Sequence, residues 1–475
     1  MLEAIETKLT EHRGAPRVWL QGGRLLLSGF TPGTQFNAQL FPEEHRITLT
    51  PAKVGTNTVS KKKSTREGEP DTPIIDLNNS KLLSIFKGVE RLRIILSKGV
   101  IHILMLATDK RIEDRKSRLI QSISSGQIKT GSLSHGGGVL DLSLHDGFST
   151  AGLNTSLMFA NEIRKELLEQ AQAFNPCWNN QTIPLAMPMQ EMAFDSWLMN
   201  KLPKVDLLAA GIPCEGASLS GRSKNAISMP EAHVLVGGLI APFLAIVAAV
   251  NPSIVLVENV PPYQNSASMC ILRNQLRDFG YIVHETILDG EDFGAIEKRK
   301  RMAMVAVTRG IEFSMDSIIT TPAENLTLGD ILEPIEIDSP LWSPLQYLKD
   351  KEERDIKAGK GFTMNIVSPQ SKTIGTIGKG YGKIRATEPK IQHSLDANLL
   401  RQLTPTEHAR AKQIPEVLIS YMGKTLAHEL LGQSIIFSAF KQVGVAIANA
   451  LKNWALTNTL IEKLGKAPQE EFALV

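Results

Sequence analysis

The stretch VDLLAAGIPCEGASLSGR, Val205–Arg222, decides the reading of this chain. Its first half is a short apolar run closed by glycine, the pattern of a strand buried on both faces. Its second half passes through Pro213 and Cys214 and turns small and polar, so the strand ends in a tight loop that presents a cysteine. A second run of this kind, SIVLVENVPPY, ends in Glu258. A third, DFGAIEKRKRMAMVAV, is entered through Arg299 and Arg301. Long segments of helical pattern lie between them. Apolar strands alternating with helices predict an α/β fold around a mostly parallel sheet covered on both faces. Ligands in such sheets collect at the carboxyl ends of the strands, so the polar residues just past each run are the candidates for chemistry.

Cys214 is placed for nucleophilic attack, since a thiolate on an exposed loop beside a cation or a helix start is the reactive form. Glu258 should emerge at the same sheet edge, where a carboxylic acid can protonate or hydrogen-bond a ring under attack. Arg299 and Arg301 alternate, and period-two spacing puts both on one face. Two guanidinium groups there suit a phosphate or an anionic substrate. Upstream, VLDLSL (Val139–Leu144) reads as the first strand of this part, running into His145, Asp146 and Gly147. A glycine at that turn lets the backbone approach a cofactor. Glu162 follows about 20 residues after that strand begins, the offset at which a carboxylate accepts ribose hydroxyls in nucleotide-binding folds. LNTSLMFANEIRKELLEQAQAF reads as helix.

The chain has 475 residues, enough for two or three domains. Its cysteines, Cys177, Cys214 and Cys270, are odd in number and far apart, so neither a disulfide framework nor a metal site is expected and a reducing cytoplasm fits. The longest apolar stretch, Val234 to Val250, is shorter than the roughly 20 residues a bilayer needs and reads as a buried helix feeding a strand. Charge is uneven: residues 1–138 carry 21 Lys and Arg against 13 Asp and Glu, whereas the remainder carries 31 against 36. Within that remainder Lys357, Lys360, Lys372, Lys379, Lys383, Arg385 and Lys390 are opposed only by Glu388. Basic stretches of this kind suit a polyanion. Residues 1–50 read as short strands, 56–73 and 124–138 as linkers, and 80–106 as a helix or two and a strand; no internal repeat is legible.

Taken in order, these motifs resemble those of the DNA (cytosine-5)-methyltransferase family, over about Val139 to Leu451. PCEGAS resembles the family's Pro-Cys-Gln-x-Phe-Ser loop and Glu258–Val260 its Glu-Asn-Val. EKRKR, Glu297–Arg301, resembles Gln-x-Arg-x-Arg. RQLTPTEHAR, Arg401–Arg410, resembles Arg-x-Leu-Thr-Pro-x-Glu-x-x-Arg, and Gly432–Ile435 the closing Gly-Asn-Ser-Val. The resemblance implies a Rossmann-like domain that binds S-adenosyl-L-methionine, with a smaller target-recognition lobe. It implies Cys214 attacking carbon 6 of a flipped cytosine, Glu258 at ring nitrogen 3, and Arg299 and Arg301 holding the base. The cofactor would lie along His145, Gly147, Glu162 and Pro213, with Gly432 and Ser434 closing the pocket. Double-stranded DNA would meet Ser218, Lys379, Lys383 and Arg385. A cytoplasmic protein of a bacterium, phage or mobile element is implied, with no membrane and no metal; a cognate restriction enzyme is not inferable. An RNA cytosine-5 methyltransferase and a non-catalytic DNA-binding regulator are the alternatives.

Departures mark a divergent branch. His145 stands in place of Phe, Glu215 of Gln, Ala217 of Phe and Glu297 of Gln, and between Ala411 and Ile414 the usual Leu-Gln-Gly-Phe is gone. The expected domains are a basic N-terminal extension (1–137), a cofactor-binding domain (138–310), a recognition region (311–395) and a returning C-terminal segment (396–475). Within the extension, RVWLQGGRLLLSGFTPGTQF resembles toxin-like relatives of swapped-hairpin transcription factors, implying a nucleic-acid-binding β module over residues 15–50.

Overall fold

The computed structural model describes residues 2–64, 69–213, 215–323, 325–360 and 363–465. It divides into two units, one up to Asp114 and one from Arg115 onward.

The first unit contains β1 (Leu2–Lys8), β2 (Thr10–His12), β3 (Ala15–Gln21), α1 (Gly23–Leu27), β4 (Gln35–Phe41) and β5 (Arg46–Pro51). It continues with β6 (Asn57–Thr58), β7 (Ser60–Lys62), β8 (Thr72–Leu77), α2 (Ser80–Leu83), β9 (Arg91–Ser97) and β10 (Val100–Met105). The second six elements repeat the first six. The two sheets run β1-β9-β10-β5-β4-β6 and β2-β3-β8-β7, and each order is unchanged when the halves are exchanged. Register obeys the same local two-fold: Val18 pairs with Leu77 as Leu20 does with Ile75, and Leu49 with Ile101 as Ile47 does with Ile103. Each half lends its opening strand to the other's hairpin, β1 to β9 and β6 to β4.

This duplication corrects the expectation of no repeat. It is hidden because inward positions alone preserve it, as in Phe36 and Leu92 or Ile47 and Ile101, which share one core. The hairpin tips differ in length, residues 42–45 in one half and 98–99 in the other. The second half also holds two strands after its short helix where one was expected, because Lys98-Gly99 is a turn between two apolar runs.

After α3 (Ala107–Ser124), which starts in the first unit, come β11 (Gln127–Leu133), α4 (Val139–Thr150), β12 (Asn154–Asn161), α5 (Lys165–Phe174) and β13 (Ile183–Leu185). Then follow α6 (Met189–Phe194), α7 (Ser196–Lys201), β14 (Leu207–Gly211), α8 (Leu219–Asn225), α9 (Ile240–Val250), β15 (Ile254–Asn259), α10 (Ala267–Asp278), β16 (Tyr281–Asp289) and β17 (Lys300–Thr308). A seven-stranded sheet, β13-β12-β11-β14-β15-β17-β16, is parallel as far as β15, and β17 runs antiparallel to both neighbours. The α/β class with a mixed, mostly parallel sheet is as expected. Side chains of a single strand feed both faces. Leu207 and Ala209 enter a core with α4 and the C-terminal helix, whereas Leu208 and Ala210 enter one with α6, α9 and α10.

Three local expectations are overturned. QIKTGSL is the central strand β11, not a linker. It looks polar because Gly131 leaves room for the Phe159 ring, which a Cβ there would meet at 2.5 Å, and because Ser132 bonds Asp141. VLDLSL is the start of helix α4, not a strand. Its apparent alternation arises because Asp141 is itself buried, accepting from Ser132 Oγ at 2.7 Å. The segment from Asn154 is strand β12 before it is helix. The apolar stretch resolves into buried α9 feeding β15, preceded by the exposed Val234 and Leu235. Among the described residues no single helix is both long and apolar enough to cross a membrane.

Beyond β17 a smaller lobe holds α11 (Gln346–Lys357), β18 (Ile366–Val367), β19 (Lys390–Gln392) and β20 (Leu400–Arg401). Ile331, Val367, Ile377 and Tyr381 are part of its core. The chain returns through α12 (Pro405–Ala411), α13 (Lys424–Gln433) and α14 (Phe437–Gly465). Helix α12 starts on a capping box in which Thr404 and Glu407 satisfy each other's backbone N–H groups.

Candidate active site

Parallel register brings four strand ends level. Leu133 pairs with Asn161 on one side and Ala210 on the other, and Gly211 pairs with Glu258. The loops after β11, β12, β14 and β15 therefore open at one sheet edge.

The loop after β11 is Ser134-His135-Gly136-Gly137-Gly138. Gly136 and Gly138 adopt φ of +56° and +74°, a conformation that costs other residues. Gly136 N donates to Glu162 Oε2 at 2.8 Å, and Arg164 N to Oε1 at 2.9 Å. Behind the loop, Trp178 Nε1 donates to His135 Nε2 at 3.1 Å, which leaves the proton on Nδ1, 2.8 Å from Asp141. Asn175 Nδ2 donates to the carbonyls of Gly137 and Gly138 at 3.0 Å each. The result is a braced glycine turn with a carboxylate at the next strand end. Glu162 follows directly on β12, and the turn whose N–H it accepts lies some ten residues upstream of the turn expected at His145–Gly147. The run of three glycines after Leu133 was the available signal.

His145 and Gly147 do not stand on a strand-to-helix turn as expected. Both lie within α4, and His145 Nδ1 is 2.7 Å from Thr155 Oγ1. A Cβ on Gly147 would stand 2.2 Å from the Lys441 carbonyl, so this glycine serves the close approach of α14. Gly432 meets the Gly378–Lys379 backbone of the smaller lobe, and Ser434 Oγ donates to Leu430 O at 2.7 Å. The residue of α13 that borders the glycine turn is Leu430, which a Cβ on Gly137 would meet at 2.3 Å.

Cys214 lies outside the described residues; its neighbours do not. Asn259 Nδ2 donates to Ile212 O at 3.0 Å and so ties the loop carrying Pro213 to β15. Ser218, after the loop, caps α8 by accepting from Gly221 N at 3.1 Å. Glu258 Oε1 lies 2.8 Å from Arg301 Nε. Burial pushes the Glu258 carboxyl above its ordinary pKa, against the opposing pull of Arg301 and then Arg299. Glu258 Oε2 and Ser134 O border the end of β14, where a Cβ on Gly211 would stand in ordinary contact with them, at 3.6 Å and 3.7 Å.

The inward alternation of the two arginines holds, with Lys298 and Lys300 exposed between and beside them. Their partners differ. Arg301 meets Glu258, whereas Arg299 is buried and donates to Glu297 Oε1 and Ile377 O at 3.2 Å and to Gly432 O at 2.8 Å. Of the predicted DNA-facing cations, Lys379 forms an ion pair with Glu215 beside the cysteine position. Lys383 and Arg385 are exposed. Lys390 does not join them: it is buried, bonded to the carbonyls of Arg385 and Glu388, and burial pushes its pKa down to about 8.

The family model described as C-5 cytosine-specific DNA methylase matches residues 128–449. The type II methyltransferase M1.ScrFI of Lactococcus lactis subsp. cremoris is 27% identical over 244 residues, 49% of this chain and 60% of its own length. M.MspI of Moraxella sp is 24% identical over 277 residues, 58% of this chain and 61% of its own length. The chain thus spans about three fifths of these two relatives, and 92% of M.NlaX of Neisseria lactamica, which is 25% identical. Among solved structures, S. pombe Dnmt2 methyltransferase superimposes with a TM-score of 0.53 at 20% identity, over 69% of this chain and 99% of its own. The Entamoeba histolytica methyltransferase EhMeth does so with 0.53 at 16%, over 70% and 99%. These two likenesses establish a shared methyltransferase fold. With its family match covering more than half its length, the chain belongs to the C-5 cytosine-specific DNA methylase family.

Proposed function

We propose that this protein is a DNA (cytosine-5)-methyltransferase dependent on S-adenosyl-L-methionine. The observation that carries the reading is Glu258. It is a carboxylic acid with a raised pKa, paired with Arg301, on the strand that Asn259 ties to the loop bearing Cys214.

Attack on cytosine needs a nucleophile at carbon 6 and a proton at ring nitrogen 3. The reactive atoms are shielded in the duplex, so the base leaves the stack. The Cys214 thiolate adds to carbon 6 while the Glu258 carboxyl protonates nitrogen 3, which gives carbon 5 enamine character. Bound S-adenosyl-L-methionine supplies an electrophilic methyl group. Loss of the carbon-5 proton to solvent water then expels the thiolate, the nitrogen-3 proton returns to Glu258, and S-adenosyl-L-homocysteine is the other product. Arg301 holds Glu258 and stands beside the base.

The residues present suit this cofactor. In the turn Ser134–Gly138 a Cβ on Gly136 would meet nothing within 4 Å, which leaves space beside that backbone, and Glu162 accepts from Gly136 N with a carboxylate suited to ribose hydroxyls. Lys379, Lys383 and Arg385 project from the recognition lobe and serve DNA phosphates or base edges.

The duplicated N-terminal unit is assigned as a second nucleic-acid-binding element. Its support is its excess of cations, among them the exposed Lys53, Lys62, Lys63 and Lys87.

The test is incubation of the full chain with methyl-labelled cofactor and, separately, duplex DNA and total RNA. Label recovered as 5-methyldeoxycytidine supports the proposal. Label confined to RNA favours the RNA-directed alternative, and none in either favours the non-catalytic one.

A further inference from the structure

The smaller lobe and the sheet meet at a charge cluster that the mechanism above does not use. Glu297 and Lys412 are both fully buried, with Lys412 Nζ 3.4 Å from Glu297 Oε2. The other carboxylate oxygen accepts from Arg299 Nη1 and from Ile377 N, each at 3.2 Å. Lys412 Nζ also donates to Leu431 O. His408, likewise buried, sits with Nε2 4.0 Å from Glu297 Oε2.

One carboxylate thus joins four segments far apart in sequence: the approach to β17, the lobe segment around Ile377, the end of α12 and the end of α13. The backbone repeats the same stitching, from Glu297 N to Ala411 O at 3.2 Å and from Lys298 N to Ile374 O at 2.9 Å. A buried charge is tolerated only when it is paired. Burial pushes the Lys412 ammonium well below its ordinary range, with Arg299 adding to that push and Glu297 opposing it. Glu297 stands where the resembled motif has glutamine, and Lys412 falls in the segment where Leu-Gln-Gly-Phe is missing.

The pair lies on the path to the reactive carboxyl. Arg301 is on the same inward side as Glu297 and Arg299, and its guanidinium holds Glu258. We infer that Glu297 and Lys412 are a matched pair of positioning residues that lock the recognition lobe to the start of β17 and thereby set where Arg301 meets Glu258. This rests on the methyltransferase reading.

The test is a double-substitution cycle in the full chain: E297Q, K412Q and E297Q/K412Q, with E297D as the conservative variant. Methyl transfer to DNA and thermal melting are read for each. Either single neutral variant should lose about tenfold or more in kcat, the double should return to within about threefold of the parent, and E297D should lie between, because interacting sites are non-additive. KM for S-adenosyl-L-methionine should stay within about twofold throughout, since the glycine turn and Glu162 are on other strands. Singles that keep kcat would overturn the inference, as would a double whose loss is the product of the singles, or a KM that rises in step. If a single variant fails to fold, a double that melts like the parent supports the pair and a double that also fails overturns it. A parent chain that methylates neither DNA nor RNA would instead overturn the functional reading, and the positioning role with it. The melting cycle would then report only whether the two charges are coupled.

Discussion

Glu258 Oε1 lies 2.8 Å from Arg301 Nε, with both side chains largely withdrawn from solvent. Burial raises the carboxyl pKa, and the guanidinium works against that rise. In the proposed mechanism the proton for ring nitrogen 3 is therefore set by a balance that one substitution shifts. Arg301→Gln removes a cation that favours the carboxylate, so the Glu258 pKa should climb further. The acid form would then persist to higher pH. The alkaline limb of the kcat profile should move upward while the plateau falls. A pH series on both proteins checks this, and a limb that stays put or moves downward would contradict the assigned proton donor.

Removal of the acid itself should be costlier. Glu258→Gln keeps the shape and loses the proton, so kcat should fall about 10²–10⁴-fold, the range for a lost general acid. The KM for S-adenosyl-L-methionine should change little. Steady-state kinetics on DNA read both quantities.

Glu162 and Gly147 should separate cofactor binding from packing. Glu162→Ala strips the acceptor from Gly136 N and Arg164 N, and it should weaken cofactor binding about 10–100-fold, as expected for lost charge-assisted hydrogen bonds. Gly147→Ala forces a Cβ to within 2.2 Å of a carbonyl of α14. It should cost about 1–3 kcal/mol of stability, as overpacking does, with cofactor affinity unchanged below the melting transition. Calorimetric titration and thermal melts would show the two effects on different variants. Weak cofactor binding by folded Gly147→Ala would return that residue to the pocket.

Lys379 pairs with Glu215, next to the cysteine position, across an exposed gap between lobe and sheet. A DNA phosphate would compete with Glu215 for it. Lys379→Ala should lower DNA affinity and reduce the slope of log K against log salt by about 0.9, the value for one lost phosphate contact. Glu215→Gln should do the opposite to affinity at low salt. Binding measured across a salt series gives both answers.

The sequence made some parts of this molecule plain and concealed others for definable reasons. Strands β14, β15 and β17 were legible because each carries a run of apolar residues buried on both faces. The positions of Glu258 and of the inward arginines followed from that. Strand β11 was hidden by Gly131 and Ser132, small residues chosen by the Phe159 ring and by Asp141. A buried aspartate in α4 imitated strand alternation and displaced the predicted cofactor turn. Lys390 and Lys412 look like basic surface in sequence, and only tertiary structure shows that they are core. Arg299 read as a substrate ligand because its partners, Ile377 O and Gly432 O, are backbone groups far along the chain.

The most direct measurement uses a long duplex synthesised with 5-fluorocytosine, incubated with S-adenosyl-L-methionine and either the parent chain or Cys214→Ala. Fluorine at carbon 5 cannot leave as a proton does, so the thiolate, once added to carbon 6, stays attached. The parent chain should give a protein–DNA complex that survives denaturing electrophoresis, with the adduct mapped to Cys214, and the variant should give none. A parent chain that forms no such complex while methylating ordinary DNA, or a variant that still forms it, would contradict the covalent route.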